Sequence, residues 1–314
     1  IFTNSHYYVP LKFYFNRNPG LAIPIFLLNE GDVKISITLN SRESVLRFKE
    51  RDDGTAPVIN AVSLSNFKFY TTYIFLEPSE ESRISNNLPS EYLIETLDIH
   101  DNISSNELSN MTFENPVKEI IWVFRHNDRV ASGSTTNIPE FNNIGNNTNP
   151  NDIFNYSHHN NTDTGLGYGT FDTFRTLTLS IGNQERFSST EATFFRTMQP
   201  YKHHSNTPGG INQNEKKKYI YVYSFSLSPE DYQPSGSYNF SALDDRTAFS
   251  FTGHDLTNYQ LTIFTTRYEY VSITRGRVSV SDVPIQQATA AAASSSTDDS
   301  SGQRISQTSL DASV

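Results

Sequence analysis

Alternation is the strongest constraint on what this chain can fold into. Asp32 to Leu39 reads DVKISITL, which sets Val33, Ile35, Ile37 and Leu39 on one face and Lys34, Ser36 and Thr38 on the other. A period of two is the signature of a half-buried strand, because successive side chains leave a pleated backbone on opposite sides. The pattern returns in Phe67 to Leu76 (FKFYTTYIFL), Glu91 to Ile99, Val117 to Arg125 (VKEIIWVFR), Phe171 to Ile181, Tyr219 to Leu227 (YIYVYSFSL), Tyr259 to Thr265 and Tyr268 to Val280. The opening Tyr7 to Phe15 alternates around a proline, and Leu21 to Leu28 (LAIPIFLL) suits a buried strand edge or a single helical turn. Roughly a dozen candidate strands and almost no helix predict an all-β chain of sandwich or barrel type.

Composition supports this. Aromatic residues make up 13% of the 314, with 22 Phe and 17 Tyr, and such residues suit pleated, half-buried surfaces. There is no cysteine, so disulfides, thiol nucleophiles and zinc–thiolate sites are excluded together. Stability must then come from a large core or from assembly. The formal charge of -10 argues against a nucleic-acid surface. Its one basic run, Lys216-Lys217-Lys218, reads as a solvated strand entrance. No apolar run approaches the roughly 20 residues of a membrane-spanning helix.

The punctuation divides the chain. Asn16-Arg17-Asn18-Pro19-Gly20 is a turn signal. Pro78 to Asn87 (PSEESRISNN) is polar and suits a short capped helical turn or linker, and the domain boundary falls near residues 78 to 92. Residues from about 127 to 168 are rich in Asn, Gly, Thr and Ser and form a long predicted surface insertion. Thr193-Phe194-Phe195 leads toward a further strand, and Gln199 to Asn212 is a predicted loop. The Ala- and Ser-rich end is a low-complexity tail over 285–314.

No catalytic constellation emerges. The chain has no G-x-S-x-G elbow, no H-E-x-x-H pair and no phosphate-binding glycine pattern. His158-His159 and His203-His204 would hold a metal only if two loops converged with Asp152 or Asp163, and adjacent residues rarely chelate together. The acidic spacing of a calcium loop is missing. Glu80-Glu81 and Glu230-Asp231 lie in polar turns, where carboxylates cap or solvate. No metal, cofactor or catalytic residue is therefore assigned. Six N-x-[ST] sequons occur, at Asn102, Asn110, Asn146, Asn155, Asn160 and Asn239, and they carry meaning only if the chain meets a glycosylating compartment.

Several segments resemble one family. Tyr8 to Leu28 (YVPLKFYFNRNPGLAIPIFLL) carries Pro10, Leu11, Phe13, Phe15, Arg17, Gly20, Ala22 and Pro24 in a pattern that resembles the first jelly roll of the double jelly-roll major capsid proteins of nucleocytoplasmic large DNA viruses. Asn115 to Phe124, with Trp122, is similar to the start of the second jelly roll. Tyr221 to Asp245 resembles the family's most recognisable segment through Pro229, Glu230, Gln233, Pro234, Gly236 and Asn239. Thr266 to Val280 looks like the closing strand.

The resemblance implies a double jelly roll of antiparallel sandwiches. Residues 1–90 would be the C-terminal portion of the first, which is expected to be incomplete here, and 91–284 would be the second. It implies a virion structural protein that forms homotrimeric, pseudo-hexameric capsomers. Its partners would be neighbouring capsomers, minor capsid proteins and a complementary N-terminal chain, close to an internal viral membrane and without direct nucleic-acid contact. A jelly-roll carbohydrate-binding or accessory module is the alternative, drawn from the aromatic- and Asn-rich loops.

Overall fold

The computed structural model describes residues 6–28, 33–39, 66–87, 90–103, 107–127, 154, 156–157, 172–182, 184–207, 219–242, 246–274 and 276–282. The chain divides into two compact units. One holds parts of residues 1–35, 73–96 and 268–308, and the other holds parts of 36–72, 97–267 and 309–314.

Ten strands are described: β1 (Ser90–Ile103), β2 (Glu107–Met111), β3 (Pro116–His126), β4 (Thr176–Ile181), β5 (Gln184–Glu191), β6 (Tyr221–Ser224), β7 (Tyr238–Asn239), β8 (Thr247–Thr252), β9 (Tyr259–Thr274) and β10 (Arg277–Asp282). They form two sheets. One runs β1-β9-β3-β6, with β10 added on β9 and β7 on β3, and the other runs β2-β8-β4-β5. Within the first sheet β9 inserts between β1 and β3, and in the second β8 inserts between β2 and β4. A six-stranded and a four-stranded sheet exchanging the chain by such crossovers form a jelly roll.

The core explains why these residues choose this arrangement. Ile120, Trp122 and Phe124 alternate along β3 into the interior, as do Leu261 and Ile263 on β9. Leu177, Leu179 and Ile181 of β4 and Phe249 and Phe251 of β8 meet them from the other sheet. Trp122 is fully buried between Phe195, Tyr221 and Phe249, with ring centroids at 5.4, 5.9 and 6.0 Å. A smaller cluster of Leu27, Ile94, Val271 and Ile273, edged by Tyr14 and Tyr92, forms the core of the other unit.

Several sequence expectations differ from the structure. Residues 33–39 and 66–77 carry no ladder among the described residues, although both alternate. Alternation prepares a face, but a strand also needs an edge to pair with. The second stretch stays exposed, Phe75 at 93%. In the opening segment the chain makes short 3-10 turns at Tyr14–Asn16, Pro19–Leu21 and Ile25–Leu27.

Pro78–Asn86 is a nine-residue helix, α1, with Pro78 in its first turn and Glu80 and Glu81 at its N-terminal end. Acidic side chains there favour the helix dipole. Phe194–Met198 is not the approach to a strand but a π-helical turn that runs into α2 (Gln199–His203). Phe195, buried from that turn, draws the segment onto the sandwich. The predicted closing strand is a hairpin instead. β9 ends at Thr274, Gly276 turns at φ +68°, and β10 returns with Arg277 opposite Thr274. The 127–168 insertion lies almost wholly outside the described residues, as do Lys216 to Lys218 and the 285–314 tail.

Candidate functional site

The segment Tyr221 to Ser241 meets β3 in a polar junction, and β3 creates the opening for it. Val117 and Ile120 are three residues apart yet both face the core, which strict alternation forbids. One extra residue resolves the conflict. The β3–β9 register steps from Val117↔Arg267 to Glu119↔Thr266, leaving Lys118 as a bulge. On the other side, the amides of Phe225 and Ser226 both donate to Lys118 O, at 2.8 and 3.2 Å. β6 therefore stops at Ser224, and the expected continuation to Leu227 on one strand face is not formed. Leu227 is 72% exposed.

The loop that follows is closed by its own serines. Ser235 Oγ lies 2.6 Å from Ser226 Oγ and accepts from Ser228 N at 2.9 Å, while Ser224 Oγ donates to Ser226 O at 2.7 Å. Gly236 takes φ +146°, and a Cβ there would lie 2.7 Å from Phe225 O, so only glycine fits. Pro229 is buried, and its carbonyl accepts from Lys118 Nζ at 2.6 Å. Gln233 and Pro234 are exposed at the loop tip.

Glu230, expected to cap a turn, reaches across to the segment after α2. It accepts from Ser205 N at 2.9 Å, is bonded to Ser205 Oγ, and meets His204 Nδ1 at 3.1 Å. The other ring nitrogen, Nε2, lies 3.1 Å from Glu119 Oε2. Both of those atoms are sealed from solvent and stand outside hydrogen-bond alignment, so charge carries that contact. The Glu119 carboxylate is the largest influence holding the His204 pKa above its ordinary value; partial burial opposes it, and Glu230 adds to the rise. The Ser205 hydroxyl and amide, and then His204, hold Glu230 below the ordinary carboxylate range. His203 turns the other way, its Nδ1 at 3.0 Å from Leu227 O.

Asn239 closes the far end of the segment. Its Oδ1 accepts from Ser241 N at 3.0 Å, and Ser241 Oγ accepts from the amide of Asn115 at 2.7 Å, where Asn115 takes φ +63°. The amide oxygen and the hydroxyl of this sequon are thus both engaged within the fold. Asn102 and Asn110 lie on β1 and β2, and Asn146, Asn155 and Asn160 lie outside the described residues. His158, His159, Asp152 and Asp163 are outside them as well. Among the described residues no group of three or more His, Asp or Glu side chains is placed to hold a metal.

The N-terminal motif is placed in the smaller unit. Arg17 pairs with Glu95 at 3.1 Å, Gly20 N donates to Asn18 Oδ1 at 2.8 Å, Phe13 stacks on Phe15 at 5.0 Å, Pro24 is buried and Pro10 is exposed. A second polar network, which sequence reasoning did not find, anchors the sandwich core. Arg196 forks onto Asp172 at 2.7 and 3.1 Å, and the Tyr221 hydroxyl donates to Asp172 at 3.2 Å while accepting from Thr173 N at 3.0 Å. Burial pushes the Tyr221 phenol well above its usual pKa. A shallow cleft borders this network along Asp172, Arg175, Glu191 and His254, but Asp172 is already committed to Arg196 and Tyr221.

The fold and the junction define a jelly-roll protein whose most elaborate polar site joins strands to a loop. Comparison with known proteins identifies the kind. The family model described as "Large eukaryotic DNA virus major capsid protein" matches residues 81–278, and that of the "Major capsid protein N-terminus" matches 2–77. The chain belongs to this family of structural capsid proteins, which are not enzymes.

Its relatives include the major capsid proteins of Pyramimonas orientalis virus (28% identical, over 86% of this chain and 59% of the relative) and Phaeocystis pouchetii virus (31%, over 76% and 57%). The chain thus spans well under two thirds of their length. Solved structures similar to it include the PBCV-1 virus capsid (TM-score 0.45, 22% identity, 68% of this chain and 56% of that one) and the Faustovirus major capsid protein (TM-score 0.43, 16%, 64% and 36%).

Proposed function

We propose that this chain is a shell-building part of a major capsid protein, working mechanically rather than chemically. Residues 1–90 contribute the C-terminal portion of a first jelly roll and 91–284 the second. Three subunits then form a pseudo-hexameric capsomer that contacts neighbouring capsomers and minor capsid proteins over an internal membrane. Nucleic acid is not bound directly, in keeping with the net charge of -10. The observation that carries the reading is the jelly-roll strand order lying within the stretch matched by the capsid family.

Exposed apolar surface supports assembly. Phe67, Phe69, Tyr70, Tyr73, Ile74 and Phe75 are each exposed, and exposed large apolar side chains in such number suit contact with a partner. A complementary chain segment is the partner proposed for it. Native mass spectrometry of the purified chain, alone and with a complementary chain supplying N-terminal strands of the first jelly roll, tests the proposal, and a trimer is expected when both are present. A stable monomer that binds a glycan through one loop pocket would overturn it in favour of the carbohydrate-binding alternative. Peptide mapping before and after glycosidase treatment checks the sequons, and Asn239 is expected to be unmodified.

A further inference from the structure

The geometry around His204 requires a charge. Each ring nitrogen faces a carboxylate oxygen at 3.1 Å, Nδ1 toward Glu230 and Nε2 toward Glu119. A neutral imidazole has one N–H, so its other nitrogen would press a lone pair against carboxylate oxygen. On the Glu119 side no solvent relieves that clash, since the side chains of His204 and Glu119 are only 14% and 10% exposed. The doubly protonated imidazolium instead sets a positive charge beside both carboxylates.

The surrounding elements supply the rest of the charge balance. β3 contributes Glu119 and Lys118, whose ammonium goes to Pro229 O. β9 contributes the neutral Thr266 hydroxyl, which donates to Glu119 Oε1 at 3.3 Å. The loop contributes Glu230 beside the exposed Asp231. On α2, Lys202 and His203 precede His204, and His203 is directed to Leu227 O. Beside the fixed bonds from Ser205 to Glu230 and from Lys118 to Pro229 O, the loop is thus attached to the end of α2 and to β3 through a group that titrates near neutrality.

We propose that His204 is a pH-operated latch. As an imidazolium it holds Glu230, and with it the 227–236 loop, against β3; on losing its proton it releases that loop.

The sign follows from the shifts of the two partners. His204 is raised from 6.5, so its support is full below that value and is lost as pH rises through the native one. Glu230 is lowered from 4.5, so its support is present above that value and is lost as pH falls through the native one. The latch is closed between these limits. Solvent screens the exposed Glu230 contact, and the buried Glu119 pair dominates.

Hydrogen–deuterium exchange of the 314-residue chain from about pH 5 to about pH 9, corrected for intrinsic rates, tests this together with an NMR titration of the histidines. His204 is expected to titrate above the ordinary histidine value. Protection of peptides covering 224–236 should fall several-fold across that same midpoint while the β4 and β8 peptides stay unchanged. In His204→Gln the loop should exchange fast at every pH, and in Glu119→Gln the midpoint should move down. Titration of His204 at or below its ordinary value would overturn the proposal, as would loop protection that does not change across the midpoint or an equal fall in His204→Gln. Should His204→Gln fail to fold, Glu230→Gln serves in its place. It leaves the buried pair intact and should by itself remove the pH response of the loop, and an unchanged response would count against the latch.

Discussion

Trp122 is the residue whose removal should cost this fold most. It is fully buried, and Tyr221 and Phe249 from the two sheets and Phe195 from the π-helical turn pack around its ring. A tryptophan buries about 200 Å² of surface, which at about 25 cal/mol per Å² amounts to about 5 kcal/mol before the compactness of the unfolded chain is considered. Trp122→Ala removes that contact and leaves a cavity, so a loss of about 3–5 kcal/mol is expected. At a urea dependence of about 2 kcal/mol per M, the midpoint should fall by about 2 M.

Trp122→Phe separates packing from polarity. Trp122 Nε1 has no hydrogen-bond partner among the described residues, a burden of about 1–3 kcal/mol that phenylalanine removes. Losing the second ring costs a similar amount, so Trp122→Phe should lie within about 1 kcal/mol of the native chain. Trp122 is the sole tryptophan, so the variants must be followed by far-UV circular dichroism rather than fluorescence. A Trp122→Ala loss under about 1 kcal/mol would refute the packing argument. Equal losses for the two variants would refute the account of the unpaired N–H.

The two motif glycines should respond differently to alanine. Gly236→Ala forces a Cβ to within 2.7 Å of Phe225 O at φ +146° and should destabilise by about 1–3 kcal/mol in urea melts, whereas at Gly20 a Cβ meets only the Asn18 side chain, at 3.3 Å, and the loss should stay under about 1 kcal/mol. Tyr221→Phe removes the hydroxyl that accepts from Thr173 N and donates to Asp172, which keeps Arg196, and should cost about 1–3 kcal/mol; because burial raises the Tyr221 pKa, the native chain's stability should decline as pH climbs above 10, and this variant should lose part of that decline. Lys118→Met breaks the bond to Pro229 O and should cost about 1.5–3 kcal/mol, read as faster limited proteolysis within 227–236.

The strands that place one face in the core were legible in the sequence. β3 and β9 present Ile120, Trp122, Leu261 and Ile263 at regular spacing, and burial enforces the alternation. β5 was not legible because QERFSSTE offers the core a single apolar side chain, Phe187, and its ladder to β4 rather than its own pattern makes it a strand. Residues 66–76 show the converse, a good pattern without a described neighbour. The π-turn and α2 were hidden because Thr-Phe-Phe favours strands locally, while packing of Phe195 and the proline at Pro200 decide for a helix. At the junction the segment was recognisable but its partners were not. Glu230 meets His204 and Ser205, 26 and 25 residues earlier, and Lys118 reaches Pro229 across 111 residues. No local spacing rule links those positions.

Core and junction therefore contribute in different ways. The aromatic interior supplies stability, and the ionic contacts fix where one loop sits. Buried ion pairs add little net stability, because desolvation offsets most of the attraction, yet removing one partner alone strands a buried charge. A double-mutant cycle on Glu119→Gln and His204→Gln makes this measurable. Each single change should destabilise the chain near neutral pH, while the double change should cost less than their sum, with a coupling of about 0.5–3 kcal/mol. Additive losses would mean that Glu119 and His204 are neighbours without being partners. The junction would then be held by Lys118, the loop serines and the contacts of Glu230 with Ser205.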